Sequence, residues 1–143
     1  MTAEQVFAIA STTALAGWVV LGFAVLRQNA FLRDEIAGRW WPLAFAALYT
    51  VLIVFFFRAA PGGLDTLANV QALFTSPWAA LAGWVHYLAF DLFIGALIAR
   101  RAMERGLPRL TLVVLLPATF LFGPIGLLLS EITALLLHRE KTS

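Results

Sequence analysis

The sequence predicts an all-α polytopic membrane protein of four transmembrane helices, the fourth kinked, with a short interfacial helix between spans two and three. Three observations carry this. Of the 143 residues, 62% are hydrophobic and only 13% charged, and the mean hydropathy is +0.88, whereas a soluble domain is roughly 45–50% apolar. Four apolar runs approach or exceed the roughly 20 residues that cross a hydrocarbon core. The Lys and Arg residues flank these runs and do not interrupt them. Since four spans consume most of the chain, a single domain over 1–143 is expected, with no room for a separate catalytic domain.

Span one runs from about Val6 to Leu26 and is closed by Arg27, Gln28 and Asn29. No Lys or Arg precedes it and no clear small-residue cleavage site follows, so it is expected to be a retained helix and not a cleaved signal. Span two, 40–57, opens with Trp40, Trp41 and Pro42: rings that suit the interface, and a proline tolerated in a first helical turn. It ends at Arg58. From Ala59 to Ser76 the breakers Pro61, Gly62 and Gly63 predict a loop, and the weakly amphipathic stretch from Leu64 to Phe74 predicts the interfacial helix. Ser76 and Pro77 supply an N-cap and first-turn proline for span three, 78–99, which Arg100 and Arg101 close. Span four, 110–137, contains Pro117 and Pro124, which predicts a kinked or broken helix near Phe122, Gly123 and Pro124. The glycines at 17, 22, 83, 95, 123 and 126 are expected where helices pack closely.

Charge placement predicts orientation. Arg27, Arg33 and Arg39 lie in loop one, and Arg100, Arg101, Arg105 and Arg109 in loop three; Arg58, Arg139 and Lys141 fall on the other face. The excess of cations marks loops one and three as cytoplasmic, with both termini outside, and a bacterial inner membrane is the expected location. A net charge of +2 spread over short loops reads as topology, so no nucleic-acid partner is expected. Cysteine is absent, which removes disulfides and thiolate nucleophiles. Two histidines are too few for a histidine-rich di-iron centre, and no phosphate loop, HExxH or GxSxG occurs. A mixed metal site would have to come from His86, Asp91 and Glu131.

The informative residues are the ionisable ones inside spans, because each is expensive in hydrocarbon. His86 is expected on the order of 12 Å from the outer end of span three, and Asp91 about 13 Å from its arginine end. Five residues apart, they stand about 140° around the helix, whereas Tyr87 and Asp91 share a face. Glu131, expected about 10 Å from the outer end of span four, matches His86 in depth, so a contact between them across the bundle is expected. Structural readings stand beside these: a histidine bonding a carbonyl, a carboxyl held by Tyr87, and a glutamate reaching the interface.

The stretch Gly83-Trp84-Val85-His86-Tyr87-Leu88-Ala89-Phe90-Asp91-Leu92-Phe93, preceded by Ala72-Leu73-Phe74 and Pro77, resembles the hallmark of the neoxanthin-synthase-related family, the abscisic-acid-deficient-four type of membrane protein, otherwise a domain of unknown function. The likeness includes Trp41-Pro42-Leu43 and Phe122 to Leu128, and extends over nearly the whole chain. It implies a four-helix protein that acts on a carotenoid or related polyene by opening an epoxide and creating an allene. Without a plastid transit peptide and with a bacterial-looking composition, the chain is expected to act on a polyene other than violaxanthin. The resemblance and the residues together assign His86 and Asp91 as the acid/base pair, supported by Glu131 and Tyr87, with Trp84, Phe90 and Tyr49 as substrate contacts. No cofactor is expected for isomerisation; oxidative cleavage, the alternative, would need iron. A carotenoid or lipid binder without turnover is a further reading; a small transporter or assembly subunit is the last, and neither the charge pattern nor the span count points to it. A homo-oligomer is left open.

Overall fold

A computed structural model describes residues 1–140, with side chains through Leu137. Helix α1, Ala3–Arg27, begins with a reciprocal cap: the Gln5 backbone N–H donates to Thr2 Oγ1 at 3.2 Å and the Thr2 N–H donates to Gln5 Oε1 at 2.9 Å, satisfying two orphan donors of the first turn. It ends at Gln28, whose φ of 54° is left-handed.

The next helix starts earlier than the sequence predicts. Helix α2 is one rod over Phe31–Ala59, 29 residues long, so most of the expected loop one is helical. Its first part, Phe31–Trp40, has π-helical turns. The Trp41 N–H bonds the Ile36 carbonyl, five residues back, and this wider register lets Pro42 follow, although its ring would clash with the carbonyl four residues back in an α-helix. Charge patterning misled here because Arg33 is buried, 8% exposed. Its Nε and Nη2 donate to the two carboxylate oxygens of Asp34 at 2.8 and 2.7 Å, and Nη1 lies 2.9 Å from Met103 Sδ. Paired inside the bundle, the two charges stop looking like loop residues.

The connection after α2 turns through Gly62, where φ is +79° and a Cβ would overlap the Asn69 carbonyl. It leads to the short helix α3, Leu67–Leu73, capped by Thr66 Oγ1 accepting from the Asn69 N–H. The Asn69 side-chain amide donates to Asp65 Oδ1 at 2.8 Å and holds that carboxyl below its ordinary range. Helix α4, Pro77–Glu104, is the central rod, and Ser76 precedes it without a side-chain cap bond. Two apolar clusters surround it. One joins Leu21 and Val25 of α1 to Leu92 and Ala99 of α4 and to Leu112 and Leu115; the other joins Ala10 and Ala14 to Phe45, Val85 and Ala89. Small residues permit the approach: a Cβ on Gly95 would strike the Trp18 ring, and one on Gly17 would strike Leu92. Gly22 is the exception, since a Cβ added there would meet no atom of another element within 4 Å among the described residues.

Helix α5, Leu110–Glu140, is broken at Phe122 (φ −144°, ψ 41°) and Gly123 (φ 4°, ψ −73°). The chain reverses there. In a straight helix residues seven apart lie about 10 Å apart, yet a Cβ on Gly126 would collide with the backbone of Thr119. Glu131 then reaches Arg101 at 3.2 Å and Arg105 at 3.5 Å, at the end of α4 from which α5 departs. Four helices are long and apolar enough to cross a membrane, but the fourth is a hairpin: a first arm of about 18 Å runs inward and a second arm returns. The expected position of Glu131 near the outer end is therefore overturned, because that expectation assumed a straight helix. Arg139 and Lys141, counted for the outer face, lie outside the residues with described side chains.

Candidate functional site: a buried carboxyl at the broken helix

The break in α5 leaves backbone groups that the bundle must satisfy. Pro124 has no N–H to give the Phe120 carbonyl four residues back. The Tyr87 hydroxyl of α4 donates to that carbonyl instead, at 3.1 Å. One turn along α4, the Asp91 carboxyl abuts Gly123, and any side chain at that position would overlap it. Pro124 opens the second arm in a position suited to proline, and Asp91 sits at the positive end of that arm's dipole. Elsewhere in the hairpin, Thr119 and Ser130 turn their hydroxyls onto the carbonyls of Leu115 and Leu127, both at 2.7 Å.

Asp91 is 5% exposed. Among the described residues its buried Oδ2 has no hydrogen-bond partner, which a protein interior rarely tolerates without a reason. The carboxyl lines a cavity of about 210 Å³ with Trp84, Tyr87 and Leu88 of α4, Ser11 and Trp18 of α1, and Phe120 at the break. Four aromatic rings stand in this wall: Trp18 meets Phe120 edge-on at 5.4 Å and Trp84 stacks on Tyr87 at 5.5 Å. The Trp84 indole N–H donates to Ser11 Oγ at 2.9 Å.

The other expected site residues lie elsewhere. His86 points to the opposite side of α4, into a shallow groove of about 230 Å³ that it lines with Tyr49, Gly83 and Phe74. It is exposed there, between the rings of Tyr49 at 5.5 Å and Phe90 at 4.7 Å. Phe90 is 54% exposed and is not part of the Asp91 cavity. The expected contact between His86 and Glu131 is absent, since Glu131 is held by Arg101 and Arg105. The structure thus unites Asp91, Tyr87 and Trp84, and separates them from His86, Tyr49 and Phe90 on one side and from Glu131 on the other. Among the described residues, no three His, Asp or Glu side chains converge as a metal would require, so the mixed site from His86, Asp91 and Glu131 is not assembled in this chain. Sequence reasoning missed Ser11, Trp18 and Phe120; only the pairing of α1 with the break brings them to the carboxyl.

Fold and site define a small integral membrane protein in which a buried carboxyl faces a broken membrane helix. The chain belongs to the family described as ABA DEFICIENT 4-like, whose profile matches residues 5–129, in agreement with the family that span three resembles. It is also similar to the AI-2 transport protein TqsA of Escherichia coli strain K12, with 36% identity over 126 residues, covering 86% of this chain and 33% of that protein. The chain thus spans about a third of the length of this curated relative. No solved structure matches the chain.

Proposed function

We propose that this protein is a membrane enzyme acting on a carotenoid or related polyene, and that Asp91 with Tyr87 forms its cofactor-free acid/base site. The buried Asp91, whose Oδ2 has no hydrogen-bond partner among the described residues and whose side chain lines the cavity, is the observation that carries the reading. Membership of the family supports a carotenoid or related polyene as the substrate class. Epoxide-to-allene isomerisation needs a base at carbon and an acid at oxygen, in an apolar slot that excludes water. Asp91 removes the vinylic proton on the carbon next to the epoxide; that electron pair becomes the second double bond of the allene, cumulated with the existing one, which stays in place, and the C–O bond opens onto oxygen. Tyr87 protonates that oxygen and recovers its proton from Asp91, so atoms and charge balance. The cavity wall of Trp18, Trp84 and Phe120 suits the flat face of a conjugated chain. His86, assigned as the base from sequence, gives way to Asp91 in this reading, because its ring faces another groove.

Expression in bacteria accumulating beta-carotene, zeaxanthin or violaxanthin, followed by pigment chromatography, tests the proposal. A new product that is lost with Asp91→Asn supports it. Full conversion by Asp91→Asn sinks the acid/base assignment. Pigment that co-purifies unchanged points to a binding protein without turnover, and shortened products together with bound iron point to oxidative cleavage.

A further inference from the structure

The cavity at Asp91, about 210 Å³, is smaller than the roughly 300–1,000 Å³ of pockets that enclose a medium-sized ligand. A long apolar molecule with one end at Asp91 must therefore extend beyond it. The space for it lies toward the start of α4. There a groove of about 770 Å³ runs between the first turns of α1 and α4, floored by Phe7, Trp78, Leu81 and Ala80. Trp84 lines both the groove and the cavity. From Pro77 at the mouth to Asp91 is fourteen residues, about 21 Å along the helix. The two spaces lie end to end along one face of α4, and the indole of Trp84 stands between them.

We propose that groove and cavity form one slot for a rod-shaped conjugated chain, and that Trp84 is its gate and length selector. This rests on the polyene reading of the Asp91 site and adds to it where the chain lies and which residue admits it. The ring is held by contacts that can be exchanged. It leans on Phe7 at 5.4 Å, stacks on Tyr87 at 5.5 Å, and is tethered by a single hydrogen bond to Ser11 Oγ. At 39% exposure it has open space on the groove side into which to turn. A conjugated chain that displaces it gains the stacking faces of Phe7 and Tyr87 that the indole gives up. With the gate shut, only a short molecule fits beside Asp91; with it displaced, one end group reaches the carboxyl while the chain lies along the groove.

The gate is tested by retention of pigment, independently of turnover. The full chain and two variants, Trp84→Ala and Ser11→Ala, are purified in detergent after loading with equal amounts of zeaxanthin, a C40 chain, or retinol, a C20 chain. The expected result is that Trp84→Ala raises the zeaxanthin-to-retinol ratio by about tenfold, of the order that reshaping an apolar pocket by a few carbons produces. Ser11→Ala shifts it the same way by less. An unchanged ratio in a Trp84→Ala protein that elutes and melts as the parent does overturns the gate. If Trp84→Ala fails to fold, the Ser11→Ala ratio decides alone. Failure of the enzymatic reading is seen separately: Asp91→Asn would convert pigment fully while the retention ratios still shift.

Discussion

The two sides of α4 carry polar groups five residues apart and treat them in opposite ways. Asp91 is sealed between α1 and the hairpin of α5, 5% exposed, with its carboxyl against a glycine. His86 is exposed in a shallow groove beside Tyr49. Both looked equally costly as residues inside an apolar span. The difference lies in what packs opposite. On the Asp91 side a broken helix brings its freed backbone and the start of a second arm, which favour a polar partner; on the His86 side α2 offers apolar and aromatic side chains. A polar residue in a membrane helix is thus informative about chemistry only once its neighbour is known.

The largest expected contrast is in activity. Asp91→Asn keeps the size and the position at the second arm but removes the base, and should lower polyene conversion about 100-fold or more, whereas a melting scan in detergent should move little. A variant that melts far below the parent would make Asp91 a structural cap and erase the chemical contrast between the two sides. Next is Gly126→Ala. Its methyl group would enter Thr119 of the opposite arm, so a loss of about 1–3 kcal/mol is expected from forced overpacking, read as a lower melting temperature. An unchanged melt would mean the arms are not closed as described.

Glu131→Gln should do less. Its partners Arg101 and Arg105 are about half exposed, and such pairs contribute roughly 0.2–1 kcal/mol, so only a small loss of stability, screened by salt, is expected. A loss several times greater, insensitive to salt, would place the pair in hydrocarbon. The smallest effect is expected from His86→Ala, which should leave conversion at the parent level, because its ring and the Asp91 carboxyl open into different spaces. Loss of product in that variant, with the protein folded, would return His86 to the active site and collapse the distinction between the two sides.

Much of the fold was legible because it depends on short-range chemistry. Apolar runs and the breaker cluster at Gly62 each act within a few residues. So did the weak point at Phe122-Gly123-Pro124, since a proline removes a specific N–H. The angle of that break was not legible: it is set by Gly126 meeting Thr119 and by Glu131 meeting two arginines, contacts that straight-helix counting cannot foresee. The same assumption misplaced Glu131 by a whole arm and paired it with His86. Arg33 and Asp34 looked like a polar loop because a charge pair is visible in sequence only as two charges; its burial against Met103 is a matter of how α2 and α4 meet.

By itself the sequence determined that this is a membrane protein of apolar helices, that α4 carries its unusual polar groups, and that Tyr87 and Asp91 share a face, all consequences of composition and of the period of one helix. Only the tertiary structure decided that α5 turns back on itself, that Asp91 and not His86 lines the aromatic cavity, and that Trp84 lines both that cavity and the groove at the start of α4. Those outcomes depend on which backbones can approach closely enough to touch, and glycine, proline and ion pairs on different helices set that distance jointly.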